Sequence, residues 1–235
     1  MNKKKVFIAA LAVCLIAILS MSTLAWFNAT DSVKNDFMFD DTDGDGTPDF
    51  KVDIFETDEN GDPVDGKEYE DVTPGSVLAK DPTVKNTGDY PMYTRVVVTL
   101  SNAKAWMDAS AKYDLTGENA DSIILEEMVQ IHANWKRFDA PVYNATADTL
   151  TYVYYHEGIV ESGVQTAPVF TQVTIPAALQ QEDMRYTNDM FSITVKADAI
   201  QSANIIPEGA EIVGNHAYTA FSKANWAAGT EYPEP

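Results

Sequence analysis

Four aspartates near the N-terminus have the spacing of a cation-binding loop. Asp41, Asp43, Asp45 and Asp49 lie in the sequence DDTDGDGTPDFKVD, with Gly46 after the third. Hard cations take several oxygen ligands at about 2.4 Å, and alternate carboxylates on a loop bent by glycine supply them. Without a cation, carboxylates this close together repel one another. The sequence therefore predicts a calcium site made by these four side chains.

This loop, residues 40–53, resembles the calcium loops of thrombospondin type 3 repeats and dockerins. It departs from them at the twelfth position, where Val52 replaces the bidentate acid and Asp53 follows one residue late. We therefore expect moderate calcium affinity rather than the tight binding of an EF-hand. The alternative is a solvated acidic turn that precedes a strand over residues 50–56.

A second alternating acidic set follows, but it favours a turn over a metal site. Asp58, Asn60 and Asp62 surround the pair Asn60–Gly61. Such a pair between two strand-like runs is a strong signal for a β-hairpin.

The sequence contains no recognisable catalytic motif. Its three histidines, His132, His156 and His216, form no H-E-x-x-H pair, although Glu157 follows His156. It also has no nucleophile elbow, phosphate-binding loop or dinucleotide fingerprint. The single cysteine, Cys14, lies in an N-terminal segment that we expect to be removed. We therefore expect no enzymatic activity, and a zinc site made by dispersed histidines is the remaining enzymatic alternative.

Composition excludes some classes of partner. The chain has 235 residues and is 45% hydrophobic, which is enough for one substantial core, most simply in one domain. Its formal net charge is −20, from 16 Lys+Arg against 36 Asp+Glu. Such a surface repels the phosphates of nucleic acids and of anionic membranes. We therefore expect no nucleic-acid binding, and the charge suits an exported protein that attracts cations.

Residues 1–25 are predicted to be a signal peptide. Lysines at positions 3–5 precede an apolar segment, residues 6–19, that is short for a membrane span. Small residues before the junction predict cleavage between Ala25 and Trp26, which leaves a mature chain without cysteine. Membrane contact is then expected only through the uncleaved signal peptide. The alternative is an N-terminal anchor that is not cleaved.

The next segment, residues 26–39, is predicted to be a strand that must bury its large side chains. Apolar residues alternate along part of it, as in a strand with one buried face. An added strand gains main-chain hydrogen bonds of about 1 kcal/mol each, together with side-chain anchors in pockets. The sequence leaves open whether it inserts into its own sheet or that of a neighbouring copy. Its anchors are Trp26, Phe27, Val33, Phe37 and Phe39.

The pattern of turns and strands in residues 72–100 predicts a hairpin in the core of a β-sandwich. Pro74–Gly75 suits the centre of a type II turn, and a strand with Pro82 at an edge or bulge is expected over residues 77–85. A β-branched strand with a buried face follows over residues 92–100. Further predicted strands are residues 131–138, 150–156, 168–175 and 191–197, and predicted helices are residues 102–111, 121–128, 177–184 and 216–226.

Three stretches together resemble one family of exported proteins. They are TPGSVLAKDPTVKNTGDYPMYTRVVVTL at residues 73–100, YVYYHEGIVESGVQTAPVFTQVTIP at residues 152–176 and FSITVKADAIQ at residues 191–201. They are similar to segments of the camelysin/TasA-type secreted proteins of Gram-positive bacteria, in particular the clostridial BsaA-type biofilm matrix proteins. The sequence LAWFNATDSVKN also looks like the mature N-terminus of that family. The resemblance implies processing by a SipW-type signal peptidase.

The resemblance also implies a fold and a function. Residues 40–235 are expected to form an all-β, jelly-roll-like β-sandwich with short helices in the connections, and residues 26–39 to act as a donor strand. The expected protein is a secreted component of the extracellular biofilm matrix or cell surface that self-associates into fibres by donor-strand complementation, with calcium involved. The sheet edge near residues 77–85 is a plausible acceptor. The alternatives are a camelysin-like metallopeptidase and a monomeric, calcium-stabilised surface-binding protein.

Overall fold

The computed structural model describes residues 28–31, 50–69, 72–113, 124–178 and 192–228. Over these residues the chain consists mainly of antiparallel β-strands, with short helices between them. This confirms the prediction of an all-β fold with short helices in its connections.

The larger sheet contains six strands within the described ranges. They are β1 (Asn28–Asp31), β6 (Met92–Ser101), β7 (Trp135–Lys136), β8 (Val142–Asn144), β9 (Thr149–His156) and β11 (Ile193–Gln201). Their order across the sheet is β1, β11, β6, β9, β7, and β8 also pairs with β9. The N-terminal strand β1 therefore lies at one edge, and the short strands β7 and β8 lie at the other.

Two smaller sheets lie alongside each other. In one, β2 (Val52–Thr57) pairs with β3 (Pro63–Val64) and β5 (Thr83–Asn86); in the other, β4 (Val77–Ala79) pairs with β10 (Gln172–Thr174). Backbone hydrogen bonds continue between these pairs, because Thr166 N donates to Val84 O at 2.8 Å and Val169 N donates to Pro82 O at 2.8 Å. One stretch of chain thus runs beside both β4 and β5.

Three helices occur within the described residues, where the sequence predicts helices. They are α1 (Ala103–Tyr113), α2 (Ile124–Met128) and α3 (His216–Lys223). Asn215 caps α3, since its side chain accepts a hydrogen bond from Tyr218 N at 2.8 Å. The helix predicted for residues 177–184 lies almost entirely outside the described residues.

The central strand β6 is buried on both of its faces. Val96, Val98 and Leu100 point inward, into a core that also contains Val52 of β2 and Val173 of β10. On the outer face a second cluster forms where α3 packs on the sheet, and its members are Tyr93, Tyr155, Ile200, Ile205, Ala217, Ala220, Phe221 and Trp226. This double burial explains the continuous β-branched run in β6, because a strand covered on both sides needs no polar face.

The predicted hairpin is not formed. The turn at Pro74–Gly75 is present, with Gly75 at a φ of +87° and Ser76 N donating to Thr73 O at 2.9 Å. The predicted strand over residues 77–85 is divided into β4 and β5, which pair with β10 and β2 instead of with β6. The division falls at Pro82, which has no N–H to donate to a continuous ladder. Strands adjacent in sequence thus belong to different sheets.

The strand predicted for residues 131–138 is much shorter in the structure. Trp135 N donates to His132 O at 2.9 Å, which makes a turn, and only Trp135–Lys136 pair with β9. In contrast, the strand predicted for residues 191–197 extends to Gln201. The longer β11 makes the whole of β6 a paired central strand.

Candidate functional site

The β1 edge of the larger sheet is the candidate functional site. Here β1 pairs antiparallel with β11, with Asn28 opposite Ile200, Ala29 opposite Ala199 and Asp31 opposite Ala197. Both edges of β11 are thus occupied over these residues, since β6 lies on its other side. The four residues of β1 belong to the segment predicted to be a donor strand.

The first half of β11 has one neighbour where the second half has two. β1 extends only from Ala197 to Ile200, whereas β11 begins at Ile193. Within the described part of the chain, Ile193–Lys196 therefore pair with β6 alone. Unpaired backbone groups at a sheet edge are a template for pairing with another strand.

A buried ion pair fixes β11, the neighbour of β1, to the strand β6. Arg95 of β6 donates from Nε to Oδ2 of Asp198 at 2.8 Å, and the exposed fractions of the two side chains are 2% and 3%. Arg95 also donates from Nη1 to Trp226 O at 2.9 Å, and its guanidinium lies 4.2 Å from the ring centroid of Phe221. The Arg95–Asp198 contact therefore ties β11 to β6 and to the segment that follows α3.

The side chains predicted for the calcium loop and the donor anchors lie outside the described residues. These are Asp41, Asp43, Asp45 and Asp49, the cleavage pair Ala25 and Trp26, and the anchors Phe27, Val33, Phe37 and Phe39. The structure does fix the two ends between which the aspartates lie. Residues 32–51 connect β1, in the larger sheet, with β2, in a smaller sheet.

The second acidic set forms a hydrogen-bonded turn, as predicted. Asp58 accepts hydrogen bonds from Asn60 N at 2.8 Å and from Asp62 N at 2.9 Å. Gly61 has a φ of +86°, and the turn joins β2 to β3 with Thr57 opposite Pro63. The backbone donors, chiefly that of Asp62, hold the pKa of the Asp58 carboxyl below its usual value.

The three histidines differ in their surroundings. His132 and His216 are exposed, whereas His156 is buried and lies edge-on to Trp135, with ring centroids 5.0 Å apart. Across the described residues, no group of three His, Cys, Asp or Glu side chains is placed to hold a metal ion. The hypothesis of a three-histidine zinc site therefore gains no support from these positions.

Burial of His156 should make folding stability pH-dependent. Desolvation lowers the pKa of His156 below its ordinary value, and the nearby His132 lowers it further. The unfolded chain therefore takes up this proton first, as the pH falls below about 6.5. We expect the free energy of unfolding to decrease from that pH down to the lower pKa of the folded state, and this contribution to change no further below it.

Urea denaturation at a series of pH values measures this effect. The variant His156→Gln should show a shallower loss of stability as the pH falls below about 6.5. The exposed-site control His216→Gln should keep the slope of the parent chain. An unchanged slope in His156→Gln would assign the pH dependence to other groups.

Sequence reasoning placed residues 191–197 in the core but missed the role of β11 as the neighbour of β1. The residue pattern carries one usable signal, an arginine within the apolar run YTRVVV, because a buried charge requires a partner. That partner, Asp198, follows 103 residues later. Alternation alone does not show which strands become neighbours.

Comparisons with known proteins identified no relative. No protein-family model, curated protein or solved structure matched the chain. Among the described residues, no helix combines the length and apolarity needed to cross a membrane.

Proposed function

We propose that this chain is a secreted structural protein of an extracellular matrix, with a jelly-roll-like sandwich fold, that assembles into fibres by donor-strand complementation. The observation that carries the proposal is the position of β1. It is an N-terminal strand at the edge of a sheet, and it pairs with a strand that is distant in sequence. A strand in that position can be supplied by the same chain or by a second copy through the same contacts.

An edge strand can be exchanged without disturbing the rest of the sheet. Among the described strands, β1 pairs with β11 alone, so its release breaks one ladder of four residues. The strands β11, β6 and β9 remain paired with one another. Each backbone hydrogen bond that β1 breaks in its own copy is replaced by an equivalent bond in the next copy. Exchange therefore conserves most of the interaction energy.

The chain between β1 and β2 is long enough for a strand to reach a neighbouring copy. Residues 32–51 separate the two strands, and a chain of this length spans at most about 70 Å. Domains of this size have a radius of gyration of about 17 Å. Connection length therefore permits β1 to pair with a second copy that lies beside the first.

A donor strand longer than β1 would also use the remaining edge of β11. If the register observed for residues 28–31 continued, Val33 would lie opposite Val195, and Asn35 opposite Ile193. Val195 and Ile193 pack against the main hydrophobic core. In this register Val33 would face an acceptor formed by β11, whereas Phe37 and Phe39 would lie beyond its first residue, Ile193.

Within the acceptor expected near residues 77–85, the strand β5 is less favourable than β11. β5 already has β2 on one side, and on the other side Lys85 bridges to Gln165 and Val84 O accepts from Thr166 N. A strand with neighbours on both sides has no free edge. We therefore propose β11 as the acceptor.

Calcium at Asp41, Asp43, Asp45 and Asp49 would act on the connection between donor and sandwich. Neutralising these carboxylates would remove their mutual repulsion and fix the direction in which the donor segment leaves the domain. We therefore expect the mature chain, residues 26–235, to form fibres in calcium and to remain monomeric in chelator. Negative-stain microscopy and sedimentation distinguish these states.

Variants of the loop separate calcium binding from a general charge effect. The double variant Asp43→Asn/Asp45→Asn should require a higher calcium concentration for assembly. The control variant Asp62→Asn removes one acidic charge from the exposed turn after β2 and should leave the requirement unchanged. Fibres of equal mass in calcium and in chelator would refute the calcium dependence. Monomers under both conditions would favour the monomeric surface-binding alternative.

A further inference from the structure

The outer face of the larger sheet carries a groove of about 700 Å³ beside α3. Its floor is formed by Val97 and Thr99 of β6 and by Thr151 and Val153 of β9, which lie directly opposite one another. The helix α3 covers only part of this face, which leaves the groove open beside it. Residues of α3 and Trp226 close one end of the groove. The volume falls in the range of ligand sites, about 300–1,000 Å³.

Polar side chains in the groove have hydrogen-bonding capacity that the fold does not use. Thr99, Thr149, Thr151, Asn225 and Lys196 line it, and within the described part of the chain their side chains make no hydrogen bond or ion pair. Threonine hydroxyls from two adjacent strands thus stand side by side on a rigid sheet. The ammonium of Lys196 is exposed at the rim.

The closed end of the groove contains a further unused donor. Arg95 lines it there, and its Nη2 is buried without a hydrogen-bond partner among the described residues. The carboxylate at the same end, Asp139, accepts a hydrogen bond from the Tyr218 hydroxyl at 3.1 Å. The unused groups are therefore three threonine hydroxyls and one amide, each of which can both donate and accept, and two cationic donors, the exposed Lys196 and the buried Arg95.

We propose that this groove binds an acidic oligosaccharide. A carboxylate of the sugar would pair with Lys196, and ring hydroxyls and oxygens would accept from the threonines and Asn225. The apolar C–H face of a ring would lie over Val153, which is half-buried. This proposal goes beyond fibre assembly and does not depend on it, because the groove is formed within one copy.

The chemistry of the groove favours a saccharide over an acidic peptide. An extended peptide brings one backbone N–H per residue, and each of these needs an acceptor once it is buried. The threonine hydroxyls and the Asn225 amide of the groove can both donate and accept, and Asp139 keeps accepting capacity beside its hydrogen bond from the Tyr218 hydroxyl at 3.1 Å. Sugar hydroxyls adapt to donors and acceptors alike, and a uronate carboxylate only accepts.

Calorimetric titration of the monomeric mature chain with tetragalacturonate tests the proposal. We expect binding that weakens about tenfold in Lys196→Glu, which corresponds to about 1.4 kcal/mol. Thr99→Val, which keeps the side-chain shape and removes the hydroxyl, should also bind more weakly. The control Lys51→Glu makes the same charge change at an exposed site outside the groove and should bind as the parent does.

Two further ligands define the class that is recognised. Maltotetraose has no carboxylate and should bind more weakly than tetragalacturonate. A tetraglutamate peptide has carboxylates without sugar rings and should also bind more weakly. Absence of tetragalacturonate binding, equal binding by Lys196→Glu, or tighter binding of the peptide would each overturn the proposal. None of these outcomes bears on fibre formation, which is measured separately by microscopy.

Discussion

Replacing Arg95 with alanine should lower the free energy of unfolding by about 3–5 kcal/mol. The substitution removes the ion-pair partner of Asp198, whose side chain is 3% exposed, and leaves that carboxylate in the interior. It also removes the hydrogen bond from Nη1 to Trp226 O and the contact of the guanidinium with the Phe221 ring. The loss should be measured by urea denaturation of the mature chain.

An exposed ion pair supplies the matched control. Lys104 and Asp108 pair at 2.8 Å, with side chains 65% and 66% exposed, one helical turn apart in α1. Lys104→Ala should leave the free energy of unfolding almost unchanged, because solvent screens this pair. The double variant Arg95→Met/Asp198→Leu should recover much of the stability lost in Arg95→Ala, because it leaves no buried charge. Similar small losses for Arg95→Ala and Lys104→Ala would show that the buried pair contributes little.

Local sequence patterns predicted the strands and helices better than their pairing. Proline and glycine marked the turn at Gly75, and the pair Asn60–Gly61 correctly predicted the hairpin between β2 and β3. These features depend on a few adjacent residues, whose backbone preferences are readable from sequence. The division of β4 from β5 at Pro82 was only partly foreseen, since proline is compatible with both an edge strand and a break.

Local sequence patterns did not predict which distant strands pair with each other. The strand β6 joins β11 and β9 instead of the β5 that precedes it, and the choice depends on side-chain packing across the whole core. The candidate site depends on the same long-range choice. Residues 26–39 were predicted to be an added strand from their alternation, whereas β11 becomes the neighbour of residues 28–31 only through its place beside β6. The groove on the outer face likewise arises from how much of the sheet α3 covers.

Locking β1 onto its own sheet should abolish fibre formation. Ala29 and Ala199 lie directly opposite each other, and opposed residues of antiparallel strands have Cα atoms about 4.5–5.5 Å apart. A disulfide spans this separation, and a chain that begins at Trp26 has no other cysteine because Cys14 precedes the predicted cleavage site. The double variant Ala29→Cys/Ala199→Cys, oxidised as a monomer, should form no fibres in calcium, and reduction should restore them. Fibres formed by the oxidised monomer would show that β1 need not leave its own sheet.

The most direct measurement uses the same two substitutions on separate chains. Ala29→Cys and Ala199→Cys mature chains are mixed, assembled in calcium and oxidised, and covalent dimers are counted by non-reducing electrophoresis. Donor-strand exchange predicts dimers from the mixture and few from either variant alone. A parallel mixture of Ala29→Cys with Ala79→Cys places the second cysteine in β4, near the other acceptor considered, and should give no dimers. Fibres that form in the first mixture without disulfide-linked dimers would contradict the pairing of β1 with β11 of a second copy.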